Sequence, residues 1–117
     1  MIVEDEVLIS LSYKMILEKN GYKVTHKFRR ANDLLGELES VNPDLFILDI
    51  ELIDKPNGID LAKKIRESSQ IPILFATGNS VYESTKSIQE IPNSVLLSKP
   101  LNKDDLLSNI KELISGN

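Results

Sequence analysis

Short apolar runs alternate along this chain with longer segments whose apolar residues recur at helical spacing. Two of the runs, Leu45–Leu48 and Ile71–Phe75, are typical of strands buried on both faces of a parallel sheet. Shorter strands are predicted at Ile2–Val3, Lys23–Phe28 and Val95–Leu97. Because strands and helices alternate strictly, the sequence predicts a doubly wound α/β sandwich with parallel strands and right-handed crossovers.

Helical spacing predicts five helices between and after the five strands. They cover Val7–Lys19, Asn32–Ser40, Gly58–Glu67, Val81–Glu90 and Lys103–Ile114, with Asn32 and Asn102 as candidate N-caps. In the first helix the apolar residues at helical spacing are Val7, Leu8, Leu11, Met15 and Ile16. The expected inward residues of three later helices are Leu34, Leu35 and Leu38, then Ile59, Ala62 and Ile65, and lastly Leu106, Leu107, Ile110, Leu113 and Ile114.

Composition limits the classes of protein to which the chain can belong. A length of 117 residues fits one domain over residues 1–117, with a core that needs no disulfides. Cysteine is absent, which excludes a thiolate metal site. A net charge of −4 argues against direct nucleic-acid binding, because phosphate backbones require a basic face. No apolar run approaches the roughly 18 residues needed to span a bilayer, so we expect a cytoplasmic domain.

Polar and charged residues follow four of the five predicted strands at the point where each strand ends. Glu4 and Asp5 follow the first strand, and Asp49 follows the third. Thr77 ends the fourth strand and Lys99 follows the fifth. In parallel α/β sheets the ligand site lies at the carboxyl ends of the strands. We therefore expect these side chains to meet at one edge of the sheet.

The chemistry of this set is that of phosphoryl transfer. Three neighbouring carboxylates stay ionised at neutral pH only beside a cation, and oxygen ligands of this kind suit Mg²⁺. Lys99 supplies a compact cation for a phosphate oxygen, and the Thr77 hydroxyl supplies a rotatable donor. The pattern therefore predicts that Asp49 is a nucleophile that attacks phosphorus and forms an acyl phosphate.

Four segments at these strand ends resemble the signature blocks of response-regulator receiver domains. They are Val3–Glu6, Ile47–Ile50, Ala76–Gly78 and Ser98–Pro100, and Gly58 matches the family's usual glycine before the third helix. The resemblance covers essentially the whole chain. It implies a flavodoxin-like fold with strand order 2-1-3-4-5. It also implies a phosphoacceptor domain of two-component signal transduction, which is a signalling domain and not an enzyme.

The resemblance implies a role for each residue around the phosphoryl group. Asp49 accepts the group from a sensor histidine kinase or a phosphotransfer protein. Lys99 pairs with the phosphate, and Thr77 moves towards it. The bond between Lys99 and Pro100 is cis in the family. A downstream output domain or a second receiver then reads the change of state. No membrane partner is expected, since the chain has no long apolar run.

The resemblance also implies a set of magnesium ligands. The side chains of Asp5 and Asp49 bind Mg²⁺ directly. Glu51 contributes its backbone carbonyl, and Glu4 acts through a water molecule. These assignments follow from the positions that match the family's motifs and not from composition or spacing.

One residue and one loop depart from the family's usual pattern, and two further positions bear on how long the phosphoryl group lasts. The family usually has an aromatic residue three positions before the lysine, where this chain has Leu96, so we expect the transmission of activation to differ. The loop between Asp49 and Gly58 is one residue longer than in the commonest form of the family. Glu51 and Asn79 occupy positions that, in the family, tune how fast the phosphoryl group is lost.

Three other functions compete with this interpretation. An aspartyl-phosphate phosphatase also uses a strand-end aspartate with Mg²⁺, but it places a second aspartate where this chain has Glu51. A nucleotide-binding flavodoxin-like module needs a phosphate loop where this chain has the acidic residues Glu4, Asp5 and Glu6. A degenerate receiver without phosphoryl transfer is disfavoured by the complete set of strand-end residues.

Overall fold

The computed structural model describes residues 1–52, 57–78, 88–99 and 101–115. Its centre is a five-stranded parallel sheet in the order β2-β1-β3-β4-β5. The strands are β1 (Ile2–Val3), β2 (Lys27–Phe28), β3 (Phe46–Asp49), β4 (Ile73–Thr77) and β5 (Ser94–Ser98). The predicted strand order and the doubly wound α/β fold are therefore confirmed.

Helices cover both faces of this sheet. Within the described residues they are α1 (Val7–Lys19), α2 (Ala31–Leu35), α3 (Gly58–Arg66) and α4 (Lys103–Ser115), with a 3-10 turn at Leu38–Ser40. The fourth predicted helix, at 81–90, lies outside the described residues except for its last three. No helix in the described part of the chain is both long enough and apolar enough to cross a membrane.

The second predicted helix and the second predicted strand are both shorter than expected. The helix predicted at Asn32–Ser40 is replaced by α2 and the 3-10 turn, which Gly36 separates. Glycine inside a helix is about 1 kcal/mol less favourable than alanine, which accounts for the break. Asn32 is a helical residue and not the N-cap, since Arg30 holds that position without a capping side chain. β2 is short because its described partner, β1, is itself only two residues long.

The two faces of the sheet carry separate hydrophobic clusters. One cluster packs α2 and α3 against side chains such as Leu48 and Phe75. The other packs α1 and α4 against side chains such as Ile47 and Leu74. Neighbouring residues of β3 and β4 therefore point to opposite buried faces, which is why their apolar runs are unbroken.

Helix α1 packs against the sheet with a different face from the one that its predicted apolar stripe defines. Its buried residues are Ser10, Tyr13 and Leu17. The exposed residues of the stripe are Val7, Leu8, Leu11 and Met15, and Leu8 keeps 79% of its surface. Because both sets have helical spacing, periodicity alone does not select the inward face. These four residues of the stripe therefore lie on the outer surface of α1, whereas Ile16 packs against the core.

Helix α3 begins against the end of β3. The Asn57 side chain accepts hydrogen bonds from the backbone N–H groups of Ile59 and Asp60, and the Asp60 side chain accepts one from the Asn57 N–H. This capping box starts the helix. A Cβ atom at Gly58 would lie 2.8 Å from the carbonyl carbon of Asp49, which is closer than side chains approach backbone. Glycine therefore allows α3 to approach the site.

Candidate functional site

The carboxyl ends of four strands bring polar side chains together at one edge of the sheet. Glu4 follows β1, Asp49 ends β3, Thr77 ends β4 and Lys99 follows β5. Glu4, Asp49 and Thr77 keep only 1%, 2% and 2% of their surfaces exposed. The backbone N–H of Lys99 donates to the carbonyl of Thr77 at 2.7 Å, which joins the ends of β4 and β5. The structure thus places these predicted residues side by side.

Lys99 is the central cation of this edge. Its Nζ atom lies 2.8 Å from Oε1 of Glu4 and 3.1 Å from Oδ2 of Asp49. The three side chains are largely withdrawn from solvent, so both contacts are much less screened than a surface ion pair. A buried ammonium with two carboxylate partners is held in one place.

Burial and charge change the acid–base behaviour of the site. Desolvation raises the pKa of Asp49 from 3.8 to about 7, with Glu4 adding to the rise and Lys99 opposing it. Burial by itself lowers the pKa of the Lys99 ammonium. The hydrogen bonds and negative charges of Glu4 and Asp49 outweigh burial and leave that pKa above its usual value. Lys99 is therefore a permanent cation at neutral pH.

Asp5 completes an acidic cluster with two of these residues. One carboxylate oxygen from each of Glu4, Asp5 and Asp49 lies within 4.8 Å of the others. Lys99 contacts two members of this group, Glu4 and Asp49. Hard oxygen donors at this spacing suit a divalent cation such as Mg²⁺. The donor set therefore fits the cation expected from the sequence.

Glu51 connects the end of β3 to the end of β4. Its backbone N–H donates to Oδ1 of Asp49 at 3.1 Å. Its carboxylate accepts a hydrogen bond from the Thr77 hydroxyl and a second one from the Gly78 N–H at 3.1 Å. From the sequence, Glu51 is expected to contribute a backbone carbonyl and to occupy a position that tunes the loss of the phosphoryl group. The charge of Glu51 and its place two residues after Asp49 were the available signals for this side-chain bridge.

Tyr13 is a second residue near the site that no motif in the sequence indicates. It is buried in α1, and burial raises the pKa of its phenol to about 12, with the charge of Lys99 opposing the rise. The nearby charges of Glu4 and Asp49 add to the rise. Tyr13 lies three residues from Ser10 and four from Leu17, the other buried residues of α1. The exposed stripe of α1 has helical spacing too, so spacing alone did not identify Tyr13.

Three predicted features lie at the margin of the site or beyond the described residues. Leu96, at the family's aromatic position, is half-buried in β5 and packs against the cluster shared by α2 and α3. Asn79 and Pro100 lie outside the described residues, and so does the predicted cis bond between Lys99 and Pro100.

Comparisons with known proteins agree with this arrangement. The chain matches the family described as the response regulator receiver domain over residues 1–111. It is 31% identical to the aerobic respiration control protein ArcA of Escherichia coli (strain K12) over 115 residues, covering 98% of this chain and 48% of ArcA. It is also 31% identical to the CAI-1 autoinducer sensor kinase/phosphatase CqsS of Vibrio cholerae over 119 residues, covering 94% of this chain and 16% of CqsS.

The same likeness appears among solved structures. A response regulator receiver domain protein (CheY-like) from Methanospirillum hungatei superposes with a TM-score of 0.86 at 31% identity, covering 97% of this chain and 90% of that one. The chain spans about half the length of ArcA, at 48%. These matches support the receiver interpretation over the phosphatase alternative. The fold, the strand-end site and the family match together show that the chain belongs to the response regulator receiver domain family of two-component signal transduction.

Proposed function

We propose that this receiver domain is switched when Asp49 takes a phosphoryl group from the phosphohistidine of a sensor kinase or a phosphotransfer protein. One observation carries the proposal. The buried Asp49 carboxylate contacts the Lys99 ammonium at 3.1 Å inside a cluster of three carboxylates. This combination of a nucleophile, a fixed cation and oxygen ligands is what phosphoryl transfer to a carboxylate requires.

In the proposed reaction an Asp49 oxygen attacks the phosphorus of phosphohistidine. An O–P bond forms while the P–N bond breaks, and the electron pair of that bond stays with the imidazole nitrogen, which takes up a proton. Lys99 is held where it neutralises a phosphoryl oxygen, and Thr77 provides a hydroxyl donor at the end of β4. The product is an acyl phosphate on Asp49.

The proposed magnesium ligands are the side chains of Asp5 and Asp49, the backbone carbonyl of Glu51 and, through a water molecule, Glu4. The acidic cluster of Glu4, Asp5 and Asp49 supports this set. When bound, the ion supplies positive charge that screens the phosphoryl oxygens during transfer. The protein's own part is to hold the carboxylates together and to keep Lys99 beside them.

The remaining parts of the proposal concern the context of the domain. Residues 1–117 act as one receiver domain that catalyses its own phosphorylation and dephosphorylation without being an enzyme for another substrate. The output is a change in binding to an output domain or a second receiver, because phosphorylation shifts an existing two-state equilibrium. The cytoplasmic location expected from the sequence is part of this proposal.

The direct test is intact mass after incubation with Mg²⁺ and acetyl phosphate. The wild-type domain is expected to gain the mass of one phosphoryl group, and Asp49→Asn is expected to gain none. Asp44→Asn is a matched control, because Asp44 is an exposed aspartate just before β3, away from the carboxyl edge of the sheet. Phosphoryl gain that persists in Asp49→Asn, or no gain in the wild-type domain, contradicts the proposal.

The metal requirement is tested separately by thermal unfolding. Added Mg²⁺ is expected to raise the melting temperature of the wild-type domain, because a ligand that binds the folded state stabilises it. Asp5→Ala is expected to lose this shift. An equal shift in Asp5→Ala and in the wild-type domain would contradict the proposed ligand set.

A further inference from the structure

The Glu51 carboxylate occupies two hydrogen-bond donors that lie beside the nucleophile. One carboxylate oxygen accepts from the Thr77 hydroxyl, and the other accepts from the Gly78 N–H at 3.1 Å. The backbone N–H of the same residue donates to Asp49 at 3.1 Å. The carboxylate therefore spans two adjacent donors, as a two-oxygen anion bound at the end of β4 would.

These two donors cannot serve a second anion at the same time. A threonine hydroxyl and a backbone N–H each carry a single hydrogen. A phosphoryl group on Asp49 adds a charge of about −2 and three acceptor oxygens, all of which require donors. Two anions at one pair of donors would also repel each other. Occupation by Glu51 and occupation by phosphoryl oxygens are thus mutually exclusive.

The burial of the two partners suits such an exchange. Thr77 keeps only 2% of its surface exposed, and a buried hydroxyl needs a hydrogen-bond partner. Glu51 is exposed, so its side chain can move into solvent without disrupting the packing of the core. The hydroxyl would have an acceptor in either state, and the carboxylate would be solvated when displaced.

We propose that the Glu51 carboxylate is an internal ligand that occupies the phosphoryl-oxygen subsite of the unphosphorylated domain. It holds Thr77 and Gly78 in place until phosphoryl oxygens displace it. This inference rests on the proposed function, since it assumes that the phosphoryl group arrives on Asp49. Glu51 is a positioning residue in this account, and its carboxylate competes with the phosphoryl group instead of assisting it.

The first experiment examines the contact in the metal-free, unphosphorylated domain. The backbone amide proton of Gly78 is observed by NMR in wild type, Glu51→Gln, Glu51→Ala and the control Glu6→Gln. Glu6 is an exposed glutamate at the same edge of the sheet, and its side chain makes no capping hydrogen bond. The Gly78 proton is expected to move upfield in both Glu51 variants, because a charge-assisted hydrogen bond is lost, and to stay in place in Glu6→Gln. An unchanged shift in the two Glu51 variants overturns the proposal.

The second experiment measures the affinity for beryllofluoride, a phosphoryl mimic, in the presence of Mg²⁺. Glu51→Ala is expected to bind about tenfold more tightly than wild type, which is the size of one lost charge-assisted hydrogen bond to the competing carboxylate. Glu51→Gln, which keeps one acceptor, is expected to lie between the two. Glu6→Gln is expected to change affinity less than either Glu51 variant, because it alters the same charge without freeing the donors.

The outcomes separate this inference from the proposed function. If wild type binds no beryllofluoride, or if Asp49→Asn binds it equally well, the proposed function fails and the inference fails with it. If wild type binds the mimic in an Asp49-dependent manner and the Glu51 variants bind no more tightly, only the internal ligand is contradicted. An equal gain in Glu6→Gln also contradicts it, since the effect would then come from charge alone.

Discussion

Helices α1 and α3 lie on opposite faces of the same sheet, and their sequences determine their positions to different degrees. Helix α3 has a capping box, a glycine at its closest contact and one apolar face. Helix α1 has no side-chain cap and carries apolar residues on both its inner and its outer face. Local chemistry therefore places α3, whereas the packing partners of α1 select which of its faces is buried.

The close approach of α3 gives the largest expected effect. Gly58→Ala should lower the free energy of unfolding by about 3 kcal/mol or more, because the new Cβ meets backbone atoms that cannot rotate away. Gly36→Ala is the control, since the nearest atoms to its Cβ lie 3.7 Å away, and we expect it to be neutral or stabilising by up to about 1 kcal/mol. Urea denaturation measures both. Similar changes in the free energy of unfolding for the two variants would show that position 58 does not require glycine.

The orientation of α1 gives the next largest effect. Leu17 is buried and Leu8 is exposed, although both are leucines of the same helix. We expect Leu17→Ala to cost about 2–3 kcal/mol, because it leaves a cavity. Leu8→Ala should stay within about 0.5 kcal/mol, as surface substitutions do. If chemical denaturation shows that Leu8→Ala is more destabilising than Leu17→Ala, the exposed stripe of α1 faces the sheet and the orientation described for α1 is wrong.

The caps of the two helices should differ by a smaller amount. Asn57→Ala removes the side chain that accepts from the Ile59 and Asp60 N–H groups, and we expect a loss of about 1 kcal/mol. Glu6→Ala at the start of α1 removes no capping hydrogen bond, and we expect a loss of less than about 0.5 kcal/mol, from the helix dipole alone. Thermal unfolding of the two variants measures both losses of stability. Equal losses would contradict the expected difference between the two helix caps.

Tyr13 gives an effect that is confined to high pH. Its pKa rises from 10.0 to about 12 in the folded domain because its phenol is buried. The folded domain then holds this proton where the unfolded chain has released it, so this contribution to stability is present below pH 10 and is lost as pH rises towards about 12. Denaturation midpoints between pH 9 and about 11 should therefore fall less steeply in Tyr13→Phe than in wild type. Parallel slopes would contradict the burial of the phenol.

The central sheet could be predicted because its signal is strong and local. The apolar runs that became β3 and β4 are buried on both faces, so every residue in them is apolar whichever way it points. Glu4, Asp49, Thr77 and Lys99 stand at strand ends, and parallel pairing is enough to bring strand ends to one edge. The convergence of these four residues therefore follows from the order of the elements.

Other features could not be predicted from the sequence. The inward face of α1 depended on which of two apolar stripes fits the sheet, and the break at Gly36 outweighed the apolar spacing of Leu34, Leu35 and Leu38. The bridge from the Glu51 carboxylate to Thr77 and Gly78 depends on side-chain conformation, which no spacing rule supplies. The contacts of Glu51 and the place of Tyr13 beside the site therefore needed the structure, whereas the convergence of the strand-end residues did not.

The central claim is that Asp49 is the acceptor at the shared edge of the sheet. The most direct measurement is to phosphorylate the domain with acetyl phosphate, reduce the acyl phosphate with borohydride and locate the altered residue by peptide mass spectrometry. The account predicts that the aspartate reduced to homoserine is Asp49. Reduction at Glu4 or Asp5 instead, or at no residue, would contradict it.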